Sequence, residues 1–310
     1  MSTSTFTHAL ADGTVLHVHR WLPTGLPTDR PRAVVQVAHG MVEHAARYAH
    51  LGERLSASGY AVYASDHRGH GRTAGGPDEL GHLGDDGGFD AVVDDLAALT
   101  EQLRQEHPGV PVVLLGHSMG SFLARAYAAR HGERIDGLIL SGTAGDPGLL
   151  GAVGQRLAAL EARVRGPRAR SRLMEALVLG PNNRAFRPAR TKFDWLSRDE
   201  SRVAAYTEDV LCGGTASAAF YRDLLAGLRW VNRPATAALT PAGLPVHIVV
   251  GEVDPVGGQA AAVEVAGLLL AAGVRDVTVR VWPGARHEVL HETNRDEVEA
   301  DLLAWLDAHF

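Results

Sequence analysis

Residues 116–120 read Gly-His-Ser-Met-Gly and follow the apolar run VPVVLL. A serine with glycine two positions away on each side can sit in a very tight turn between a strand and a helix. The glycines remove Cβ atoms that would strike neighbouring backbone, and the serine side chain then projects from the strand end. The chemistry this offers is acyl transfer. A hydroxyl is a poor nucleophile at neutral pH, so Ser118 requires a base to take its proton and an acid to orient that base. In this arrangement the partners follow the serine in the order acid, then histidine. Asp254 follows HIVVGEV directly, and His287 lies just past VTVRVWPGA. His291 is the nearest rival base, but it lies deeper in the following segment. For the acid, Asp146 after LILSGTAG and Glu252 in the same turn as Asp254 remain alternatives. The oxyanion of acyl transfer needs fixed N–H donors. One is the N–H after the nucleophile, Met119. The loop after His39-Gly40 offers Met41 as the second.

These residues need a scaffold that brings distant strand ends together. Apolar runs without alternation at 33–40, 60–66, 111–118, 135–142, 244–254 and 276–284 predict buried strands. Between and after them, 47–59, 89–109, 119–132, 258–273 and 295–310 carry helical patterns, several closed by Gly or Pro-Gly. The alternating stretch 14–22 predicts a half-exposed edge strand. Strand and helix in alternation predict an α/β fold, with a mostly parallel sheet covered by helices on both faces. Ligands bind at the C-terminal strand ends of such sheets. Residues 145–240 interrupt the alternation and carry 15 Lys+Arg against 9 Asp+Glu, although the whole chain has a net charge of −6. That asymmetry predicts a helical cap at 145–240 inserted into a core formed by 1–144 and 241–310.

Composition narrows the classes. An acidic chain of 310 residues argues against general nucleic-acid binding. Cys212 is the single cysteine, which rules out an intrachain disulfide and fits a reducing, cytoplasmic setting. The stretch MSTSTFTHALADGT lacks the basic start and apolar centre of a signal peptide, and no apolar run is long enough to span a bilayer. With one lysine and 29 arginines, the basic residues reflect a compositional bias.

Taken in order, HGMVEHAARY (39–48), SDHRGHGRT (65–73), LLGHSMGS (114–121), GEVDPV (251–256) and PGARHEVLHE (283–292) resemble the α/β-hydrolase superfamily. The nearer resemblance is to its branch of monoacylglycerol lipases, bacterial lysophospholipases and serine aminopeptidase-like hydrolases. Part of the cap, 186–212, is also similar to bacterial members. The resemblance implies Ser118 as nucleophile, Asp254 as acid, His287 as base, and Met41 and Met119 as oxyanion donors. It implies no cofactor. Two departures are Ser121, where the family often has glycine, and Thr73, where it often has serine; neither touches the expected chemistry, and both are expected to have small effects on helix packing and loop structure. Asp66, His67 and His70 cluster as metal ligands would, but they lack further ligands and the resemblance gives their loop a structural part.

In the cap, Leu150, Val153, Leu157, Leu160 and Val164 recur at helical spacing, with Arg156, Arg163, Arg165, Arg168, Arg170 and Arg172 around them. Such a helix can rest on an anionic lipid surface. The favoured expectation is a lid helix packed over the pocket with its arginines in water. The substrate expected is a small-molecule carboxylic ester with one fatty acyl chain, such as a monoacylglycerol or lysophospholipid, with the basic cap slightly favouring a phosphate. Alternatives are an amide-cleaving, aminopeptidase-like enzyme and a non-catalytic ligand-binding protein. Chemistry that needs an aspartate at the turn is excluded by Ser118. Oligomeric state is not legible.

Overall fold

The computed structural model describes residues 2–25 and 30–310. Its strands are β1 Ser2–Ala9, β2 Val15–Leu22, β3 Val34–Ala38, β4 Ala61–Ser65, β5 Val112–His117, β6 Gly137–Ser141, β7 Val246–Gly251 and β8 Val277–Trp282. They form one sheet in the order β1-β2-β4-β3-β5-β6-β7-β8. The first two pairings are antiparallel and the remainder parallel. Strands β3 to β7 are buried along their whole length, which is why they read as apolar runs without alternation.

The α-helices are α1 Ala49–Ala57, α2 Gly88–Glu106, α3 Met119–His131, α4 Gly148–Arg165, α5 Arg172–Val178, α6 Glu200–Glu208, α7 Ala218–Val231, α8 Pro234–Ala237, α9 Gly258–Ala271 and α10 Arg295–His309. Leu51 and Leu55 of α1 and Leu302 and Leu306 of α10 pack on one face of the sheet with Val35, Val37 and Val113. Leu96 of α2, Leu123 of α3 and Val265 of α9 pack on the other with Val34, Val112 and Leu114. This is the α/β-hydrolase fold.

Two expectations are corrected. The alternating strand β2 is not an edge. Ser2–Ala9 pairs with it along its length and takes the edge position. STSTFTHA carries almost no apolar signal, because an outermost strand has little to bury. The helix at 148–165 also forms as expected, but its apolar stripe points the other way. Gly151, Ala158 and Ala162 are its buried residues, on a helix packed against α7. Small side chains allow two helix backbones to approach closely. Leu157 is half-buried, whereas Leu150, Val153, Leu160 and Val164 are 86%, 59%, 58% and 73% exposed. Helices α4–α8 lie between β6 and β7, and α7 packs on α2 and α3 as well as on α4.

Candidate active site

The serine turn is built by steric exclusion. Ser118 caps α3 with φ 52° and ψ −119°, a backbone that side-chain-bearing residues rarely adopt. A Cβ at Gly116 would lie 2.2 Å from the Gly120 carbonyl oxygen, and one at Gly120 would lie 2.0 Å from that of Ala38. Neither carbonyl can move without breaking strand or helix. Ser118 N–H donates to Ser141 C=O at 2.9 Å, and the Ser121 hydroxyl donates to Ser118 C=O at 2.6 Å. Ser121 therefore braces the turn from inside the first turn of the helix. Thr73 braces a different joint: its Oγ1 accepts the His17 N–H and donates to Asp66 C=O, both at 2.8 Å.

Asp254 and His287 come together because β7 and the segment after β8 nearly touch. A Cβ at Gly251 would lie 2.1 Å from the Arg286 carbonyl oxygen. His287 Nδ1 bonds Asp254 Oδ2 at 2.9 Å, with both side chains essentially without solvent. Asp254 Oδ1 accepts the Val256 N–H at 2.8 Å, which fixes the carboxylate plane. His287 keeps Nε2 for another partner, and it lines the same small cavity as Ser118 and Met41. Burial alone would lower the His287 pKa. The Asp254 charge and hydrogen bond, with help from Glu288 and Glu43, outweigh it and hold the pKa above the ordinary value.

The rivals stand elsewhere. His291 packs beside Tyr48, with Nδ1 3.3 Å from His50 Nε2. Glu252 accepts the Gly284 N–H at 2.8 Å. Asp146 accepts the Gly148 N–H at 2.9 Å and donates its own N–H to Glu264 at 2.9 Å. It lines a cavity with Ser118 but has no bond to His287 among the described residues.

The loop carrying Met41 is tightly held. Gly40 N–H donates to Glu43 Oε1 at 2.5 Å, Val42 N–H donates to His70 Nε2 at 3.1 Å, and Val42 has φ 47°. Among the described residues no acceptor meets the Met41 N–H. Met119 opens α3, where the first N–H groups have no carbonyl within the helix. Asp66, His67 and His70 are structural. Asp66 accepts from the Ala45 and Arg72 N–H groups at 2.8 and 2.7 Å, and His67 Nε2 lies 3.1 Å from His39 C=O.

One set of residues at the site had no counterpart in the sequence reading. Arg47 bridges Glu43 and Glu288, pairing both Glu288 oxygens at 2.7 Å, and Glu43 also accepts the Tyr48 hydroxyl at 2.9 Å. Both carboxylates are buried, and the Arg47 side chain is 11% exposed. Burial opposes ionisation of both carboxylates, but Arg47 overrides it and holds their pKa values low. The His117 ring lies 4.9 Å from the His287 ring at a tilt of 49°, and burial first, then the His287 charge, pushes its pKa down to about 4.

Ser118 also opens onto a cavity of about 460 Å³, walled by apolar side chains such as Phe122, Leu224, Leu228 and Val256. Its charged lining is Asp146 and Glu264, and none of the cap arginines reaches it. The smaller cavity, of about 20 Å³, has room for roughly one water molecule.

The family described as "Serine aminopeptidase, S33" matches residues 29–294. The chain belongs to that family of hydrolases. It is 35% identical over 284 residues to a monoacylglycerol lipase of Mycolicibacterium smegmatis, covering 91% of each chain. Human monoglyceride lipase is 29% identical over 283 residues, covering 91% of this chain and 82% of the relative. Among solved structures, a thermostable carboxyl esterase of Bacillus coagulans in complex with glycerol superposes with a TM-score of 0.91 at 28% identity. That match covers 100% of this chain and 99% of the esterase. The chain is thus a hydrolase whose fold and family agree with the resemblance drawn from its motifs. Among the described residues, no helix is long and apolar enough to cross a membrane.

Proposed function

We propose that this hydrolase cleaves carboxylic esters that join a single fatty acyl chain to a small uncharged alcohol such as glycerol, in a cytoplasmic setting. Ser118 Oγ attacks the ester carbonyl and His287 Nε2 takes its proton. The imidazolium that forms is stabilised by Asp254, and the oxyanion is received by the Met41 and Met119 N–H groups. Collapse releases the alcohol, which takes the proton from His287. Water, activated in turn by His287, frees the fatty acid. Residues 145–240 act as the cap that excludes bulk water from the acyl-enzyme.

The observation that carries this reading is the apolar cavity of about 460 Å³ opening from Ser118. Its wall disfavours a phosphate, because its charges are the carboxylates of Asp146 and Glu264. Monoacylglycerol is therefore preferred over lysophospholipid, against the expectation from the cap's net charge. A panel of esters varied in acyl length and head group, with Ser118→Ala as control, tests this. Equal or faster turnover of a lysophospholipid overturns the head-group preference, and activity retained by Ser118→Ala overturns the mechanism.

The same two carboxylates support a second reading, in which they hold the free amine of an aminoacyl substrate. Faster cleavage of aminoacyl anilides than of fatty acyl esters favours it.

The exposed stripe on α4 supports contact with a lipid surface. Leu149 and Leu150, each 86% exposed, follow Asp146 and Pro147, which line the cavity, with only Gly148 between. Leu177, 52% exposed, precedes Val178 and Leu179 of the same wall. Apolar side chains at a cavity rim can enter the headgroup layer from which an acyl chain is drawn. The arginines contribute less than their number suggests. Arg168 pairs with Asp85 at 3.1 Å, Arg165 with Glu161, and Arg170 donates to the Asp78 carbonyl at 2.6 Å.

A further inference from the structure

Three donors of different chemistry meet just after the Met41 loop, at residues that do not line either cavity at Ser118. His44 follows that loop in the core, whereas Asp209 and Cys212 sit between α6 and α7. An imidazole nitrogen, a carboxylate oxygen and the Cys212 sulfur all lie within 4.8 Å of one another. In a tetrahedral zinc site, bond lengths of about 2.0–2.3 Å place ligand atoms roughly 3.5 Å apart. Modest side-chain rotation therefore closes the set around one ion. The backbone already holds the two segments together. Gly213 N–H donates to Val42 C=O at 2.8 Å, and the Tyr206 hydroxyl donates to the same oxygen at 3.0 Å. Within the turn, Cys212 N–H donates to Asp209 C=O at 3.0 Å, which ties the two residues into one bend of the chain. Asp209 and Cys212 are partly accessible, whereas His44 is only 9% exposed.

We infer that His44, Asp209 and Cys212 form a binding site for a thiophilic divalent cation of the Zn²⁺ type, which fastens the cap segment to the core. The donor set selects the metal. Thiolate with imidazole and carboxylate suits Zn²⁺ and Co²⁺ and is too soft for Mg²⁺ or Ca²⁺. Charge agrees as well. One carboxylate and one thiolate neutralise a divalent ion, and the adjacent Arg47 is already compensated by Glu43 and Glu288. At present His44 Nε2 bonds Asp209 Oδ2 at 2.8 Å, and the ion would replace the shared proton between them. This site is separate from the Asp66-His67-His70 cluster, whose donors are already engaged.

The test titrates Co²⁺ and Zn²⁺ into the metal-free full-length protein. Co²⁺ should give the near-ultraviolet band of a cobalt–thiolate bond at one equivalent. Cys212→Ser should abolish the band, and His44→Ala should weaken affinity by at least about tenfold. Zn²⁺ at a hundredfold excess over its Kd should raise the wild-type Tm by about 5 °C and leave Cys212→Ser unchanged. Circular dichroism establishes that each variant is folded. Binding of equal strength in wild type, Cys212→Ser and His44→Ala would place the metal on other histidines and overturn the inference. Absence of the cobalt–thiolate band in wild type would do the same.

Discussion

Replacing Asp254 with asparagine removes one charge and very few atoms, and the structure dictates how the new side chain sits. The Val256 N–H reaches the Oδ1 position at 2.8 Å and must meet an oxygen there. The asparagine amide nitrogen is then turned to the Oδ2 position, 2.9 Å from His287 Nδ1. An N–H donor at that point makes Nδ1 an acceptor. The neutral imidazole must then carry its proton on Nε2, where the Ser118 proton should go. A comparable substitution in another serine hydrolase lowers turnover by about 10⁴, equivalent to about 5.4 kcal/mol at about 1.36 kcal/mol per decade. We expect that loss in kcat on a soluble p-nitrophenyl ester, with KM changed much less.

The pH profile supplies a second readout. The proposed mechanism requires neutral His287, so kcat/KM should rise with pH through its pKa, which the Asp254 charge holds above the ordinary 6.5. Without that charge, burial dominates and the acid limb moves to lower pH. Asp146→Asn and Glu252→Gln serve as controls and should each stay within about tenfold of wild type. If Asp254→Asn kept more than about a tenth of wild-type turnover with an unmoved acid limb, the assignment of the acid would be wrong.

Ser118→Ala should lower turnover about 10⁶-fold, measured on the same ester. Gly120→Ala should destabilise the fold by about 3 kcal/mol or more, seen in urea unfolding, because its Cβ meets the Ala38 carbonyl at 2.0 Å. Leu149→Ser with Leu150→Ser should slow hydrolysis of monoacylglycerol in vesicles several-fold while leaving soluble short-chain esters unaffected; equal loss on both would rule out surface contact. The buried histidines predict acid lability. Burial, joined by neighbouring histidines, holds His67 down to about 3 and His117 to about 4, so below about pH 6.5 the unfolded chain binds more protons than the folded one. Stability should fall as pH drops from about 6.5 to 4, each such histidine contributing about 1.4 kcal/mol per pH unit, as Tm measured against pH will show.

How much of this was legible in the sequence depended on how local each signal was. Gly116, Ser118 and Gly120 lie within five residues, and their steric reason is a property of one turn. Asp254 and His287 were legible because buried strands announce their own ends, and a parallel sheet gathers those ends on one edge. Glu43, Arg47 and Glu288 were not, since three charged residues in a row of loops and helix look like a solvated surface. Only the fold reveals that they share one dry space. His44 and Cys212 stand far apart in the chain, and no metal-ligand spacing links them. The outward turn of Leu150 and Val164 was hidden for another reason. Periodicity shows that a helix has two faces, but the choice of buried face fell to Gly151, Ala158 and Ala162, whose advantage is close approach rather than hydrophobicity.

The contact between the Gly120 position and the Ala38 carbonyl bears on how variants of this enzyme can be recombined. Two stretches some eighty positions apart behave as one mechanical part, since a shift of less than an ångström in either backbone would displace the other. Chimeras with related hydrolases should inherit 36–41 and 116–121 from a single parent, and randomised libraries should leave both untouched. Diversity is better placed on the wall of the proposed acyl cavity, at positions such as Leu224, Leu228 and Val256, whose side chains line open space.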